Sequence, residues 1–407
     1  MWTFIQIIYV RMKDKNLSRR NFIGLTGAGL ALMSNPLLAA TQPFRKEETY
    51  AAGQFKIGII GCGNRSKAII GSLNSVPELE MTALCDIVPH KMGQRAELIK
   101  TGVKPKFVNN LDELLKMKEL DAIAVITPND THRDIVIAAL EAGKHVWCEK
   151  PLAMTVAECN DIMGAVVRTG KMLQVGNQRR HSPAYKTLVE VVRTKPLGQV
   201  LQSDLFDYRG DWRVPDADEY PAGTEYWRLN QRRSGGVVYE MGAHIIDVNN
   251  WVFDSDPVSV FSMQGVNNFT LRKRDSSDYG GVLVQYANGA MMNYGGNVYN
   301  YGASAMDTWF FEKGSVQMGG GKVFVKYGSP PGFPKPADLP GPEDIVIRDD
   351  NREGDGATEQ LRHFVKVLDG KEKPYPDGYI ARKCVQVMEG SVRSSVARRA
   401  IDVRELG

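Results

Sequence analysis

The run Lys56-Ile57-Gly58-Ile59-Ile60 passes without a spacer into Gly61-Cys62-Gly63-Asn64-Arg65-Ser66, and a helical apolar pattern (Ala68, Ile69, Ile70, Leu73) starts at once. A short β-branched run of this kind reads as a buried parallel strand. A strand that must turn straight into a helix leaves few architectures open. Gly61 permits the tight turn, and Gly63 lets a ligand approach the backbone. Asn64, Arg65 and Ser66 open the helix, so their amides and the positive end of its dipole suit a phosphate. Ser66 stands where a third glycine is usual, a position that mainly governs helix–strand packing. Alone, the loop decides little, because any tight strand-to-helix turn favours glycine.

The segments that follow narrow the reading. Met81-Thr82-Ala83-Leu84-Cys85-Asp86 is a second strand ending in an acid, about 20 residues past the glycines, where a carboxylate accepts from a ribose 2′-hydroxyl and repels a 2′-phosphate. NAD is therefore favoured over NADP, with Arg65 and Lys91 as the residues that argue the other way. The plainer alternative makes Asp86 a loop or helix-capping residue. Asp121–Ile126 is another buried strand, ending in Thr127-Pro128-Asn129-Asp130-Thr131-His132 before a helix over Ile135–Glu141. Lys144–Cys148 ends in Glu149-Lys150-Pro151, and Lys171–Val175 is followed by Gly176-Asn177-Gln178-Arg179-Arg180 and a helix from Pro183. Alternating strands and helices predict a doubly wound parallel sheet, with ligands beyond the carboxyl ends of its strands.

After this the texture changes. Val258–Gln264, Gly281–Tyr286 and Ala290–Gly295 are short β-rich segments divided by turn residues, which predicts a largely antiparallel sheet. Residues 327–357, dense in Pro, Gly and Asp, read as a long surface loop. Helices are expected over Thr358–Leu368 and Tyr379–Ala397. The fold class is α/β: a Rossmann domain over 54–176, then an α+β domain over 177–407 with a large, mostly antiparallel sheet. The last helix is expected to pack back toward the first domain.

The glycine loop, Thr-Pro-Asn-x-x-His, Gly-Lys-His-Val and Glu-Lys-Pro-Leu, in this order, resemble the Gfo/Idh/MocA oxidoreductase family from about residue 54 to the end. The resemblance implies that Lys150 reaches both substrate and nicotinamide ribose, and that Lys150–Pro151 is cis. The expected cofactor set is Gly61, Gly63, Asn64, Arg65, Ser66, Asp86, Thr127, Asn129, His132, Glu149, Lys150 and Asn177. It also implies a homo-oligomer, since many relatives pair through the second sheet.

Ser234-Gly235-Gly236-Val237-Val238-Tyr239-Glu240-Met241-Gly242-Ala243-His244-Ile245-Ile246-Asp247, if helical, puts Glu240, His244 and Asp247 on one face. Oxidising a sugar carbon needs a base for the hydroxyl proton, and histidine titrates in the useful range. A carboxylate one turn away can orient its ring, and Lys150 can oppose developing negative charge. The competing reading is a buried core histidine with Glu240 as its structural partner. The pattern resembles the family's catalytic helix, Gly-Gly-x-x-x-Asp-x-Gly-x-His-x-x-Asp, with Glu240 replacing the usual aspartate. Trp227-Arg228-Leu229-Asn230 with Ser-Gly-Gly resembles the glucose–fructose oxidoreductase branch, which carries tyrosine where this chain has His244. Arg180 and Arg228, with Asp247, are the expected substrate contacts, ahead of the aromatics Trp212, Tyr226, Tyr299 and Tyr301.

The amino end reads as an address. Ser18-Arg19-Arg20-Asn21-Phe22-Ile23, a weakly apolar stretch to Leu38 and Ala39-Ala40 resemble a twin-arginine export signal over residues 1–40. About 15 apolar residues fall short of the roughly 20 needed to span a bilayer, though an interfacial anchor stays open. Residues 1–11 are apolar for a leader, which suggests initiation at Met12. Five of the 51 basic residues and one of the 47 acids lie in this segment, leaving 46 of each. That balance gives no electrostatic reason to expect nucleic acid. The five cysteines show no paired metal spacing, so no zinc site or disulfide framework is expected.

An exported (periplasmic) redox enzyme has no ready pool of free NAD, so its cofactor should stay bound and be regenerated within one cycle. That expectation admits a ping-pong sugar oxidoreductase or an NAD-dependent glycosidase resembling glycoside hydrolase family 109, which oxidises C3 transiently and eliminates the aglycone. A non-catalytic sugar binder is the third reading, and the set Lys150, Glu240 and His244 argues against it.

Overall fold

A computed structural model describes residues 53–407 except 211–219, 221–225, 268–273, 300–305, 320–321, 330–331, 333, 335–336 and 347–355. Residues 1–40, with the expected export signal, and Trp212 and Tyr301 lie outside the described residues.

Six short apolar strands form the first sheet: β1 (Phe55–Ile60), β2 (Leu79–Cys85), β3 (Lys106–Val108), β4 (Ala122–Val125), β5 (His145–Cys148) and β6 (Leu173–Val175). Their order is β3-β2-β1-β4-β5-β6, and every pairing is parallel. The helices between them are α1 (Asn64–Leu73), α2 (Pro89–Ala96), α3 (Leu111–Leu115), α4 (His132–Glu141) and α5 (Val156–Thr169). All four residues of β4 are buried, as a strand covered on both faces must be. The strand order reverses between β1 and β4, so a crevice opens beyond their carboxyl ends. α4 starts three residues earlier than the apolar pattern indicates, because Asn129–Thr131 already coils as a 3₁₀ turn. A capping box of Thr155 and Glu158 opens α5, and left-handed Gly170 closes it.

α6 (Pro183–Thr194) leads into β7 (Val200–Tyr208); a short helix α7 (Gln231–Ser234) and a π turn (Val238–Gly242) precede α8 (Ala243–Phe253). Then come β8 (Pro257–Gly265), β9 (Tyr279–Tyr286), β10 (Met291–Asn297), β11 (Asp307–Phe311), β12 (Gly314–Gly319), β13 (Lys322–Tyr327) and β14 (Glu343–Val346). Helices α9 (Ala357–Leu368) and α10 (Gly378–Ala397) and strand β15 (Ile401–Asp402) close the chain. The nine strands run β14-β13-β12-β11-β7-β10-β9-β8-β15, with β7 and β10 parallel and the other pairs antiparallel. β14 corrects the reading of 327–357 as loop: Glu343–Val346 extends the sheet edge against β13, where no apolar alternation flags it.

One face of the sheet carries the core. Asn249 of α8 accepts from Ser203 Oγ (2.8 Å) and Trp309 Nε1 (3.1 Å), tying the helix to β7 and β11. α10 lies across β8 and also reaches the first domain: Glu389 accepts from Val156 N at 2.7 Å, and Arg382 donates to Asn160 at 2.7 Å.

Candidate active site

The crevice is a cleft of about 610 Å³ lined from both halves of the chain. Gly61 turns at φ +95°, and a Cβ there would sit 2.3 Å from the Ile126 carbonyl oxygen, so only glycine fits the approach of β1 to β4. A Cβ on Gly63 would meet nothing within 4 Å, leaving the loop open on the cleft side. α1 begins at Gly63 without a side-chain cap, and Gly63, Asn64 and Arg65 line the cleft. Beneath the loop, Ser66 Oγ donates to Gly63 O (2.6 Å), and Arg95 donates to Ser66 Oγ (3.1 Å) and Gly63 O (3.2 Å). Asp86 accepts from Cys62 N at 2.6 Å and Val88 N at 2.8 Å, which fixes its carboxylate at the cleft wall. Burial, with Asp86 beside it, pushes the Cys62 thiol up to about 12.

At the other end, Arg65 Nε pairs with Glu149 Oε1 (2.6 Å) and also bonds Gln178. Glu149 accepts from Lys150 N at 2.9 Å, and the Lys150–Pro151 bond is cis. From the second domain, Gly235 and Gly236 both take positive φ (+77° and +72°). Cβ atoms there would collide with the Tyr239 ring and Ser277 Oγ, at 2.3 and 2.1 Å. These glycines let the π turn enter the cleft, a helix irregularity common at functional sites. Glu240 sits in that turn. Its carboxylate accepts from Asn129 Nδ2 (2.7 Å) and pairs with Arg228 Nε (2.8 Å), while its backbone carbonyl accepts from Lys150 Nζ (3.0 Å). Burial raises the Glu240 pKa, but Arg228 and Lys150 outweigh burial and hold it below the usual carboxylate range.

His244, half-buried, lines the cleft, and among the described residues its ring has no hydrogen-bond partner. Burial first, then Lys150, Arg179, Arg209 and Arg65, hold its pKa well below the ordinary 6.5, so the ring is neutral near neutral pH. Burial also lowers Lys150, with Glu240 and Glu149 opposing.

The expected residues divide. Gly61, Gly63, Asn64, Arg65, Asp86, Thr127, Asn129, Glu149, Lys150, Arg228, Glu240 and His244 line the cleft together, with Tyr226 and Trp227. The expected Glu240–His244 pair does not form: the π turn breaks the simple i, i+4 register, and Arg228 and Asn129 take the carboxylate. Ser66 and His132 are buried behind the wall, His132 bridging the carbonyls of Pro151 (2.7 Å) and Thr127 (3.0 Å). Asn177 and Tyr299 lie off the cleft lining. Arg180 and Asp247 satisfy each other in the interior, 5% and 1% exposed, through contacts of 2.9–3.0 Å. Arg209, Tyr220 and Arg233 line the cleft unforeseen. No spacing marks them, since Arg209 follows a strand and Arg233 is fixed by pairing with Asp130 at 2.9 Å across the cleft.

These features fit a dinucleotide. The uncapped amides and open Gly63 suit the pyrophosphate, and the fixed Asp86 carboxylate suits an unphosphorylated ribose. Residues 55–177 match the GFO/IDH/MocA oxidoreductase family, NAD-binding Rossmann fold, and residues 185–317 match the GFO/IDH/MocA C-terminal domain. Inositol 2-dehydrogenase of Salmonella typhimurium is 31% identical over 209 residues, covering 51% of this chain and 56% of that enzyme. The match thus spans little more than half of that relative's length. An oxidoreductase from Agrobacterium radiobacter, solved with NAD+, L-tartaric acid and magnesium, superposes with TM-score 0.71 at 15% identity, over 87% of this chain and all of that one. The aldose-aldose oxidoreductase from Caulobacter crescentus, solved with glycerol, gives 0.70 at 22% identity, over 86% and 99%. At such identities the structures establish the fold.

Proposed function

The chain belongs to the Gfo/Idh/MocA oxidoreductase family and carries its NAD-binding domain, and from that premise we propose an exported enzyme that oxidises a sugar or glycoside hydroxyl. The observation that carries this reading is the His244 ring, without a hydrogen-bond partner among the described residues, in one cleft with Lys150 and the glycine loop.

NAD held along the glycine loop supplies the hydride acceptor. His244 takes the hydroxyl proton as the carbinol carbon gives up its hydride and becomes a carbonyl. Lys150, pinned through Nζ to the Glu240 carbonyl, donates to the same oxygen and opposes its developing charge. Glu240 positions rather than accepts: it fixes Arg228 and Asn129 on the substrate side of the cleft. The Ser18–Ile23 motif supports export through the twin-arginine machinery, and export in turn favours a cofactor regenerated without leaving. The outward face of the second sheet exposes Phe261, Met263, Leu283 and Met291 on three adjacent strands, an apolar surface that supports pairing with a second copy.

Absorbance at 340 nm of the purified protein, without added cofactor, tests the reading against sugars and aryl glycosides. A stable rise with one sugar, reversed by a second carbonyl compound, is expected. Aglycone release without a lasting rise would replace it with the redox-assisted glycosidase. Silence on both counts in protein containing NAD would leave only a binder.

A further inference from the structure

Part of the cleft lining has no task in the proposed chemistry. Tyr220, Tyr226 and Trp227 line it as three neighbouring rings, with centroids 6.2 Å apart from Tyr220 to Tyr226 and 6.4 Å from Tyr226 to Trp227. Tyr220 and Trp227 are half-buried, yet neither packs into the hydrophobic core. Large rings outside the core and inside a cleft form a recognition surface. Their polar handles are also unclaimed: the Tyr220 hydroxyl and the Trp227 indole N–H make no hydrogen bond among the described residues.

The turn that carries Trp227 is anchored. Trp227–Leu229 form a 3₁₀ turn, in which the Leu229 carbonyl accepts from the amides of Asp275 and Ser276, both at 3.1 Å. The Arg228 carbonyl accepts from Ser276 Oγ at 2.8 Å. A surface fixed in this way loses little freedom when a ligand settles on it.

A line of contacts places the rings relative to the reaction. Arg65 of the glycine loop pairs with Glu149, which accepts from Lys150 N, and Lys150 Nζ donates to the Glu240 carbonyl. The Glu240 carboxylate holds Arg228 at 2.8 Å, and the Arg228 guanidinium lies 5.1 Å over the Trp227 ring. Lys150 falls between the glycine loop and the aromatics in this line, so a sugar held at Lys150 has the cofactor loop to one side and the rings to the other. Charge narrows what the rings can take. Each arginine of the lining is matched to a carboxylate: Arg65 to Glu149, Arg228 to Glu240, Arg233 to Asp130 and Arg209 to Asp207. Ring faces with an N–H and a hydroxyl to offer, beside arginines already neutralised, suit an uncharged sugar ring, whose C–H face stacks while its hydroxyls take the hydrogen bonds.

We propose that the substrate carries two sugar rings: the first is oxidised at Lys150 and His244, and the second, uncharged, lies on Tyr220 and Trp227 and bonds their hydroxyl and N–H. The proposal rests on the oxidoreductase reading and narrows its substrate class to disaccharides.

The test uses the full protein with bound cofactor and reads both cofactor reduction and calorimetric binding. The probes are D-glucose, the disaccharides maltose, cellobiose, trehalose and lactose, and the phenyl α- and β-D-glucosides. At least one disaccharide is expected to show a KM and Kd roughly tenfold or more below those of glucose, with little dependence on salt. W227A should cut that preference roughly tenfold, and W227F should recover part of it through the retained ring face. Y220F, which removes only the hydroxyl, should cut it roughly threefold. Thermal midpoints of the variants identify any loss caused by unfolding. Glucose binding and reacting as well as every disaccharide overturns the proposal and leaves the oxidoreductase standing. Phenyl glucosides that match the best disaccharide assign the rings to an apolar aglycone and overturn the second sugar. A disaccharide preference that neither W227A nor Y220F alters overturns the assignment to these rings. Neither reduction nor binding with any probe overturns both readings.

Discussion

Replacing Asp247 by alanine strands a buried cation. Arg180 is 5% exposed and contacts both Asp247 carboxylate oxygens through Nε, and one again through Nη2. The variant keeps only the Asp247 carbonyl (3.2 Å), the Tyr375 hydroxyl (3.1 Å) and the faces of Trp251 and Tyr375, at 5.3 and 5.7 Å. None of these neutralises the guanidinium. Removing one partner of a buried ion pair costs about 3–5 kcal/mol. At roughly 2 °C per kcal/mol for a chain this long, the thermal midpoint should fall by roughly 6–10 °C. The discriminating measurement is the double variant R180M/D247L, which fills similar volume without charge. It should regain most of the lost stability, because apolar replacement of a buried pair is often neutral. Calorimetric unfolding reads all three proteins, and substrate titration reads KM in each. If D247A keeps its thermal midpoint and instead raises KM, Asp247 touches substrate and the interior placement of the pair is wrong.

Three further outcomes follow from the cleft. His244 acts unprotonated and its pKa is lowered, so activity should persist well below pH 6.5 on acidification. Lys150 acts protonated with a lowered pKa, so the alkaline loss should come below pH 10.5. A profile of kcat/KM against pH checks both limbs, and an acid limb at or above 6.5 refutes the assignment. Gly61→Ala places a Cβ 2.3 Å from the Ile126 oxygen at a positive φ, so purified protein should lose bound NAD, measured by absorbance after denaturation, while circular dichroism shows a folded chain. Leu283→Asp, on the exposed sheet face, should shift the sedimentation coefficient toward a monomer, whereas an unchanged value removes that face as the pairing surface.

The first domain was legible because its signals are local. Period, glycine turn and strand-end acid each lie within a few residues, and backbone geometry converts them directly into position. The second sheet was legible in texture only. β14 carries one apolar pair, and its place depends on β13, which no local pattern reveals. The site divides in the same way. Most residues at a strand end or glycine turn line the cleft, Asn177 and Ser66 being the exceptions, whereas Arg180, Asp247 and His132 depended on what folded against them. Each is a polar side chain at the right address that turns inward to a partner distant in sequence: Asp247 is 67 residues from Arg180, and Pro151 is 19 from His132. Sequence spacing gives the turn of the helix but not the neighbour that claims the side chain.

Glu240 shows what one methylene does in such a place. Expected to brace His244, it reaches across to Arg228 and Asn129 instead, from a turn whose register the π geometry has already shifted. His244 is thus left without a carboxylate to stabilise its cationic form, in a field set by Lys150 and three arginines. A base in that setting accepts a proton only while the reaction drives it, and releases it readily afterwards. That property suits a cycle in which oxidation and reduction alternate on one cofactor, because the same ring must return its proton in the second half-reaction. Shortening the arm tests the connection: Glu240→Asp should free Arg228, let the carboxylate approach His244 and move the acid limb of the pH profile upward. If the limb does not move, the cations alone set the ring, and the identity of residue 240 matters only for holding Arg228.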